Sequence, residues 1–160
     1  MGYTHYYAIV GWDTPEWQKA WAQIIQDVPY IIKEARVPLT GPTEDMDVIT
    51  PVVTDSEEGI HLNGIRGNAH EDFMLCKPGA WTFCKTARKP YDVVVSSILL
   101  RIWMLAPKNL ELGSDGGYED WDEARDLCAT LWPEEPTEGL WAQHDEENDM
   151  EANNGSDQVT

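Results

Sequence analysis

Trp81 to Leu105, WTFCKTARKPYDVVVSSILLRIWML, constrains this chain more than any other stretch. Trp81 to Cys84 favour a strand, and from Val93 onward apolar residues fall on nearly every side of a helix. A helix with that pattern is buried all round, so the remaining elements have to be laid around it. KTARKPYD lies between strand and helix. Pro90 suits a first helical turn, where its missing N–H costs nothing, and Asp92 suits the positive end of the helix dipole. Lys85, Arg88 and Lys89 are thereby gathered at a strand-to-helix junction, an arrangement able to hold an anion. The plain alternative is a loop charged for solubility, with Lys85 paired to Asp72.

The 160 residues suffice for one domain with a real core, to which eight Trp, six Tyr and two Phe contribute. Net charge is −18, unevenly spread. Nine of the 29 acids lie in residues 134–160, which hold no Lys or Arg; the other 20 face 11 bases in residues 1–133. Such a surface repels nucleic-acid backbones and anionic membranes, so no direct nucleic-acid binding is expected. The opening MGYTHYYAIV has no basic n-region and reads as no signal peptide. Val93 to Ala106 is interrupted by Ser96, Ser97 and Arg101 and is too short to span a bilayer. Cys76, Cys84 and Cys128 are odd in number and lack CxxC spacing, as expected of reduced thiols in the cytoplasm.

Along the chain, Tyr3 to Val10 reads as a strand. Thr14 as N-cap, Pro15 and Glu16 start a helix whose apolar stripe runs from Trp17 to Ala35. Pro29 predicts a kink or two consecutive helices near Asp27. Val48 to Val53 is a candidate edge strand because of Pro51, and Ile60 to Ile65 a strand that turns at Asn63-Gly64. His70 to Cys76 and Trp81 to Lys85 read as a hairpin turning at Pro78-Gly79. That register sets Cys76 opposite Trp81, Met74 opposite Phe83 and Asp72 opposite Lys85. Asn109 to Leu112 is a short strand. Ser114 or Asp115 is a candidate cap for an amphipathic helix over Tyr118 to Trp132. Residues 1–133 are therefore expected to form a globular domain and 134–160 a disordered acidic tail, in which Trp141 is the one residue suited to docking.

The predicted fold is α+β: a mainly antiparallel four- to five-stranded sheet with three main helices, in a single domain. If its polar loops converge on one sheet edge, the candidate ligand-binding set is Thr4, His5, Tyr6, His70, Glu71, Lys85, Thr86, Arg88, Lys89, Tyr91, Ser114 and Asp115. The cations and backbone N–H groups would hold a small anionic, nucleotide-like or phosphorylated ligand, with Tyr6 or Tyr91 stacking on a base. His5, His70, Glu71 and Asp115 suit divalent ions by type, but no compact ligand spacing appears and no metal is assigned. His-Glu at 70–71 is not HExxH, since residue 74 is Met, and no Gly-rich phosphate fingerprint occurs. The sequence leaves any cofactor unidentified. His61 and His144 have no evident partners.

At Met1-Gly2-Tyr3-Thr4-His5-Tyr6, Asn63-Gly64, His70-Glu71-Asp72-Phe73, Phe83 to Asp92, Ser114-Asp115-Gly116 and Trp121 the chain resembles a family of small proteins from bacteriophages, especially those of actinobacteria, and from some bacteria. Members usually carry Thr where Asp72 stands. The resemblance spans about residues 1–132 and implies a viral or prokaryotic origin, with the host cytoplasm as location if phage-encoded, but no activity. Three function classes follow. A small-anion binder could sequester a host defence signal. An acidic interaction module or nucleic-acid mimic would inhibit a basic host protein. A small hydrolase would use His70, Glu71 and Lys85 on a phosphorylated substrate.

Overall fold

The computed structural model describes residues 2–77 and 82–141. The elements run β1 (Thr4–Ile9), α1 (Pro15–Ala35), β2 (Leu39–Thr40), β3 (Val53–Asp55), β4 (Gly59–Gly64), β5 (Phe73–Leu75), β6 (Thr82–Lys85), α2 (Asp92–Leu105), β7 (Leu110–Ser114) and α3 (Asp122–Leu131). Short 3-10 turns lie at Arg66–Asn68 and Glu119–Trp121. The fold is α+β, and its strands divide between two antiparallel sheets. In one, β1 runs between β6 and β7; in the other, β4 pairs with β2, β3 and β5.

α2 is the buried helix that its composition demands. Every residue from Val94 to Ile102 is buried, including Ser96, Ser97 and Arg101, with α1 and α3 packed against it. α1 begins as its cap residues dictate: the Thr14 hydroxyl accepts from the Trp17 N–H at 3.3 Å, and Pro15 follows. It then continues past Pro29 as one helix rather than two consecutive ones. Proline removes only the bond to the carbonyl four residues back, and the stripe of Trp17, Trp21, Ile24, Val28 and Ile31 stays buried throughout. Trp12, Trp17 and Trp21 pack ring against ring with centroids 5.2–5.8 Å apart, a core role rather than a stacking platform.

Four other expectations change. β5 and β6 do not form a hairpin ladder: β5 pairs with β4 (Leu62 opposite Phe73) and β6 with β1 (His5 opposite Cys84). Asp72 therefore does not meet Lys85, and Trp81 lies outside the described residues. The edge strand predicted from Val48 begins only at Val53, because residues 41–50 close into a loop of their own. Ser114 and Asp115 cap no helix; their side chains turn back onto β1. Residues 134–141, assigned to the tail from composition, pack on the fold. Glu135 pairs with Arg101, and Trp141 meets Tyr118 and Trp121 edge-on. The rest of the predicted tail, with His144, lies outside the described residues. No helix among the described residues is long and apolar enough to cross a membrane.

The cysteines give a direct check on this packing. Cys84 and Cys128 are buried, which pushes each thiol up to about 12, whereas Cys76 is exposed. A thiol reagent at neutral pH will therefore titrate one cysteine in the native protein and three in denaturant. Two or more reacting at the native rate would contradict the burial.

Candidate functional site

The segments singled out in the sequence do converge, on His5. This residue is fully buried on β1. Its Nδ1 lies 2.8 Å from Ser114 Oγ, directly opposite on β7, and its Nε2 lies 2.7 Å from Asp92 Oδ1 in the first turn of α2. The Thr86 hydroxyl donates to the same oxygen at 2.5 Å, and Ser96, one turn along α2, reaches Asp92 Oδ2 at 3.4 Å. Tyr3 and Trp121 stand edge-on to the imidazole, each with centroids 5.1 Å away. The Asp92 carboxylate can only accept, so the imidazole gives it Nε2–H. Ser114 Oγ accepts the Gly116 N–H at 3.0 Å and also bonds the Tyr3 side chain, and in the neutral imidazole its proton is the one that Nδ1 can accept.

The turn before α2 is bound to β1 from beneath. The N–H groups of Thr86 and Ala87 both donate to the Tyr3 carbonyl, at 3.1 and 3.2 Å. Asp115 accepts from the Thr4 N–H at 3.0 Å and returns its own N–H to the Thr4 carbonyl. From the other side, the Glu71 N–H donates to the Lys85 carbonyl, and Glu71 Oε2 accepts the Lys85 N–H at 2.7 Å. His70 Nδ1 donates to the same carbonyl at 2.8 Å, and the Tyr91 hydroxyl donates to the Glu71 carbonyl at 2.6 Å. Ala87 and Arg88 both hold left-handed backbone, φ 52° and 57°, which strains residues with a Cβ.

What converges is a closed polar network and not a cationic pocket. The N–H groups of Lys85, Thr86, Ala87, Lys89 and Asp92 are engaged within the chain, and Asp92 itself occupies the helix end that would have attracted an anion. Arg88 lies over the Tyr3 ring at 4.1 Å and pairs with Asp120 at 2.9 Å, which holds that carboxyl below its usual range. Tyr91 is fully buried and Tyr6 sits on the opposite sheet face beside Phe83, so neither is placed to stack on a base at His5. Lys85 runs alongside Gly2, and neither it nor Lys89 makes an ion pair among the described residues. No group of three or more metal-ligating side chains occurs among the described residues.

Burial shifts the tyrosines here. Tyr3 is raised to about 12, first by burial and then by the Asp92 and Asp120 carboxylates; burial likewise raises Tyr7 and Tyr91. Above the ordinary value of 10, the unfolded chain loses phenolic protons that the fold retains. Stability is thus complete below pH 10 and falls as pH rises toward 12. An absorbance titration near 295 nm should show these three phenols ionising together with loss of structure; their ionising in the intact fold near pH 10 would contradict it.

A true cleft lies beside this network, over β4. It measures about 290 Å³ and is walled by Thr43, Glu44, Met46 and Val48 on one side and by Arg66, His70 and Asp72 on the other. Its floor is organised by Asn63, whose amide donates to the His70 carbonyl and to Asp72 Oδ1, and whose carbonyl accepts the His70 N–H. His61 holds the second Asp72 oxygen at 2.7 Å. Because His70 Nδ1 donates to a carbonyl, its Nε2 is left without a partner among the described residues. The Arg66 guanidinium, on a residue with φ 51°, likewise makes no hydrogen bond or ion pair among them.

The outer wall of the cleft is a loop closed at its neck. The Gly41 N–H donates to the Thr50 carbonyl and the Thr50 N–H to Thr40 Oγ1, both at 2.9 Å. Inside it, Thr43 Oγ1 bonds both the N–H and the carbonyl of Asp45, and Asp45 accepts the N–H groups of Asp47 and Val48. A Cβ on Gly41 would lie 1.8 Å from the Pro51 carbonyl oxygen, so only glycine fits the neck. This internal bonding leaves Met46, Val48 and Ile49 facing outward, 67%, 45% and 56% exposed, among Glu44, Asp45 and Asp47. The sequence reading missed the loop; its one signal was the acidic–apolar string TEDMDVI between Gly41-Pro42 and Pro51. It also read Asn63 only as a turn residue and assigned no role to Arg66 or Ser96.

Comparison of the chain with protein families, with curated proteins and with solved structures finds no match, which leaves geometry and charge to carry the functional argument.

Proposed function

We propose that the protein is an acidic interaction module that docks a basic, partly apolar segment of another protein onto the 41–50 loop and its cleft. One observation carries this reading: a loop held in shape by its own hydrogen bonds displays Met46, Val48 and Ile49 between carboxylates. Pre-organised apolar side chains lose little entropy on binding, and the surrounding charge steers a basic partner inward. At about 290 Å³ the cleft is at the lower limit for a small-molecule site, a size suited to one anchoring side chain. Nucleic-acid-binding proteins carry such basic surfaces, and an acidic chain competes with nucleic acid for them.

The test is calorimetric titration with basic–apolar peptides at several salt concentrations. The double variant Met46→Ser/Val48→Ser should weaken binding at least tenfold, and Asp45→Asn/Asp47→Asn should flatten its salt dependence. Glu111→Gln, on the far sheet, should do neither. Equal effects from all three would reduce the interaction to bulk charge and overturn the proposal.

A second reading rests on the unpaired Arg66 and the open His70 Nε2 in the same cleft: a phosphate-bearing small ligand held between them. A rise in melting temperature with a nucleotide, lost in Arg66→Ala, would favour it over the first.

A further inference from the structure

Outside the cleft, the His5 network has a feature that packing alone does not require. Ser114, His5 and Asp92 form one hydrogen-bonded line, 2.8 and 2.7 Å, with the serine at the wall of a separate cavity. That cavity measures about 170 Å³ and is otherwise lined by Leu112, Gly116, Trp121, Leu140 and Trp141, with no charged side chain. We propose that Ser114 is the nucleophile of an acyl-transfer site for uncharged esters or thioesters with short acyl groups.

The tautomer that gives Asp92 the Nε2 proton is the one such a reaction needs. Nδ1 carries a lone pair toward the serine proton, while Nε2–H is held by Asp92, itself fixed by Thr86. The two imidazole nitrogens exchange their familiar roles here, which is chemically neutral, since either can act as base when the other carries the proton. Attack forms the Oγ–C bond as the Oγ proton moves to Nδ1 and the carbonyl π pair moves to oxygen. Collapse restores the carbonyl, breaks the bond to the leaving alcohol or thiol, and returns the Nδ1 proton to that group. Water then repeats the sequence on the acyl-serine and releases the acid. The Gly116 N–H, 3.0 Å from Oγ, orients the serine hydroxyl toward His5. The cavity is small and has no charged side chain, and this sets the substrate class: a charged acyl group would find no counter-charge there and a long one no room. Asp92 and Thr86 act only through His5 and are positioning residues.

The probe is a fluorophosphonate, with the adduct located by peptide mapping, alongside hydrolysis of p-nitrophenyl acetate by the full chain. The wild type should gain one adduct, on Ser114. Ser114→Ala, folded by circular dichroism, should take up none and hydrolyse the ester at least 100-fold more slowly. Cys76→Ser should retain the full rate, which separates Ser114 from the exposed thiol. Because mapping is done on the wild type, the result does not depend on any variant folding. An unlabelled Ser114 in native protein, or an ester rate carried by Cys76, would overturn the assignment.

Discussion

Replacing Asp27 with alanine will cost this protein about 3–5 kcal/mol, a large part of the roughly 5–15 kcal/mol that holds a domain together. Asp27 on α1 and Arg101 on α2 are only 4% exposed each as residues, and Asp27 Oδ2 accepts from Arg101 Nε at 2.8 Å. Gln23 donates to the other carboxylate oxygen, Glu135 accepts from Arg101 Nη1, and the guanidinium lies 3.8 Å from the centre of the Trp132 ring. Removing Asp27 leaves the buried guanidinium with only the more exposed Glu135 as counter-charge, and removing Arg101 leaves a buried carboxylate with no cation. Removing both together is different, because an apolar pair of similar volume avoids desolvating two ions. Asp27→Leu/Arg101→Met should therefore recover most of the loss in a urea titration. A single Asp27→Ala variant within 1 kcal/mol of wild type would show that the pair is not isolated from water.

The second large effect is expected at His5. His5→Ala removes an imidazole bonded at both nitrogens and wedged between Tyr3 and Trp121, so cavity formation adds to the loss of two buried hydrogen bonds. About 3–4 kcal/mol should be lost. Asp92→Ala should cost a comparable amount by orphaning Thr86 and His5 at the start of α2. Since each variant already disables the same network, the double variant should fall short of the sum by about 1–3 kcal/mol. Strict additivity in denaturant titrations would mean that the two residues act independently.

Local chemistry made the helices legible. Thr14-Pro15-Glu16 and the apolar steps after it give α1, and unbroken apolar character gives α2, because those signals lie within a few residues of each other. Pairings between distant segments were not legible in the same way. Phe73 to Leu75 and Thr82 to Lys85 have the composition of a hairpin, and nothing local says that β4 and β1 compete better for them. The candidate site follows the same division. That Thr4-His5, Thr86, Arg88 and Ser114-Asp115 would meet was readable from their places at strand ends. That Asp92 would fill the anion position, and Asp120 the Arg88 guanidinium, depended on contacts across 87 and 32 residues. The 41–50 loop escaped notice because its order comes from Thr43, Asp45 and Thr50 bonding their own backbone, which composition does not distinguish from an unstructured turn.

Amide chemical-shift mapping of the ¹⁵N-labelled chain, titrated first with a basic–apolar peptide and then with a nucleotide, tests the central claim most directly. Peptide-induced shifts should concentrate in residues 40–50 and 61–72 and saturate, while residues 85–89 stay unmoved by either ligand. Saturable shifts centred on Lys85 to Lys89 with the nucleotide, and none at the loop with the peptide, would contradict the account and return the function to the strand-to-helix junction.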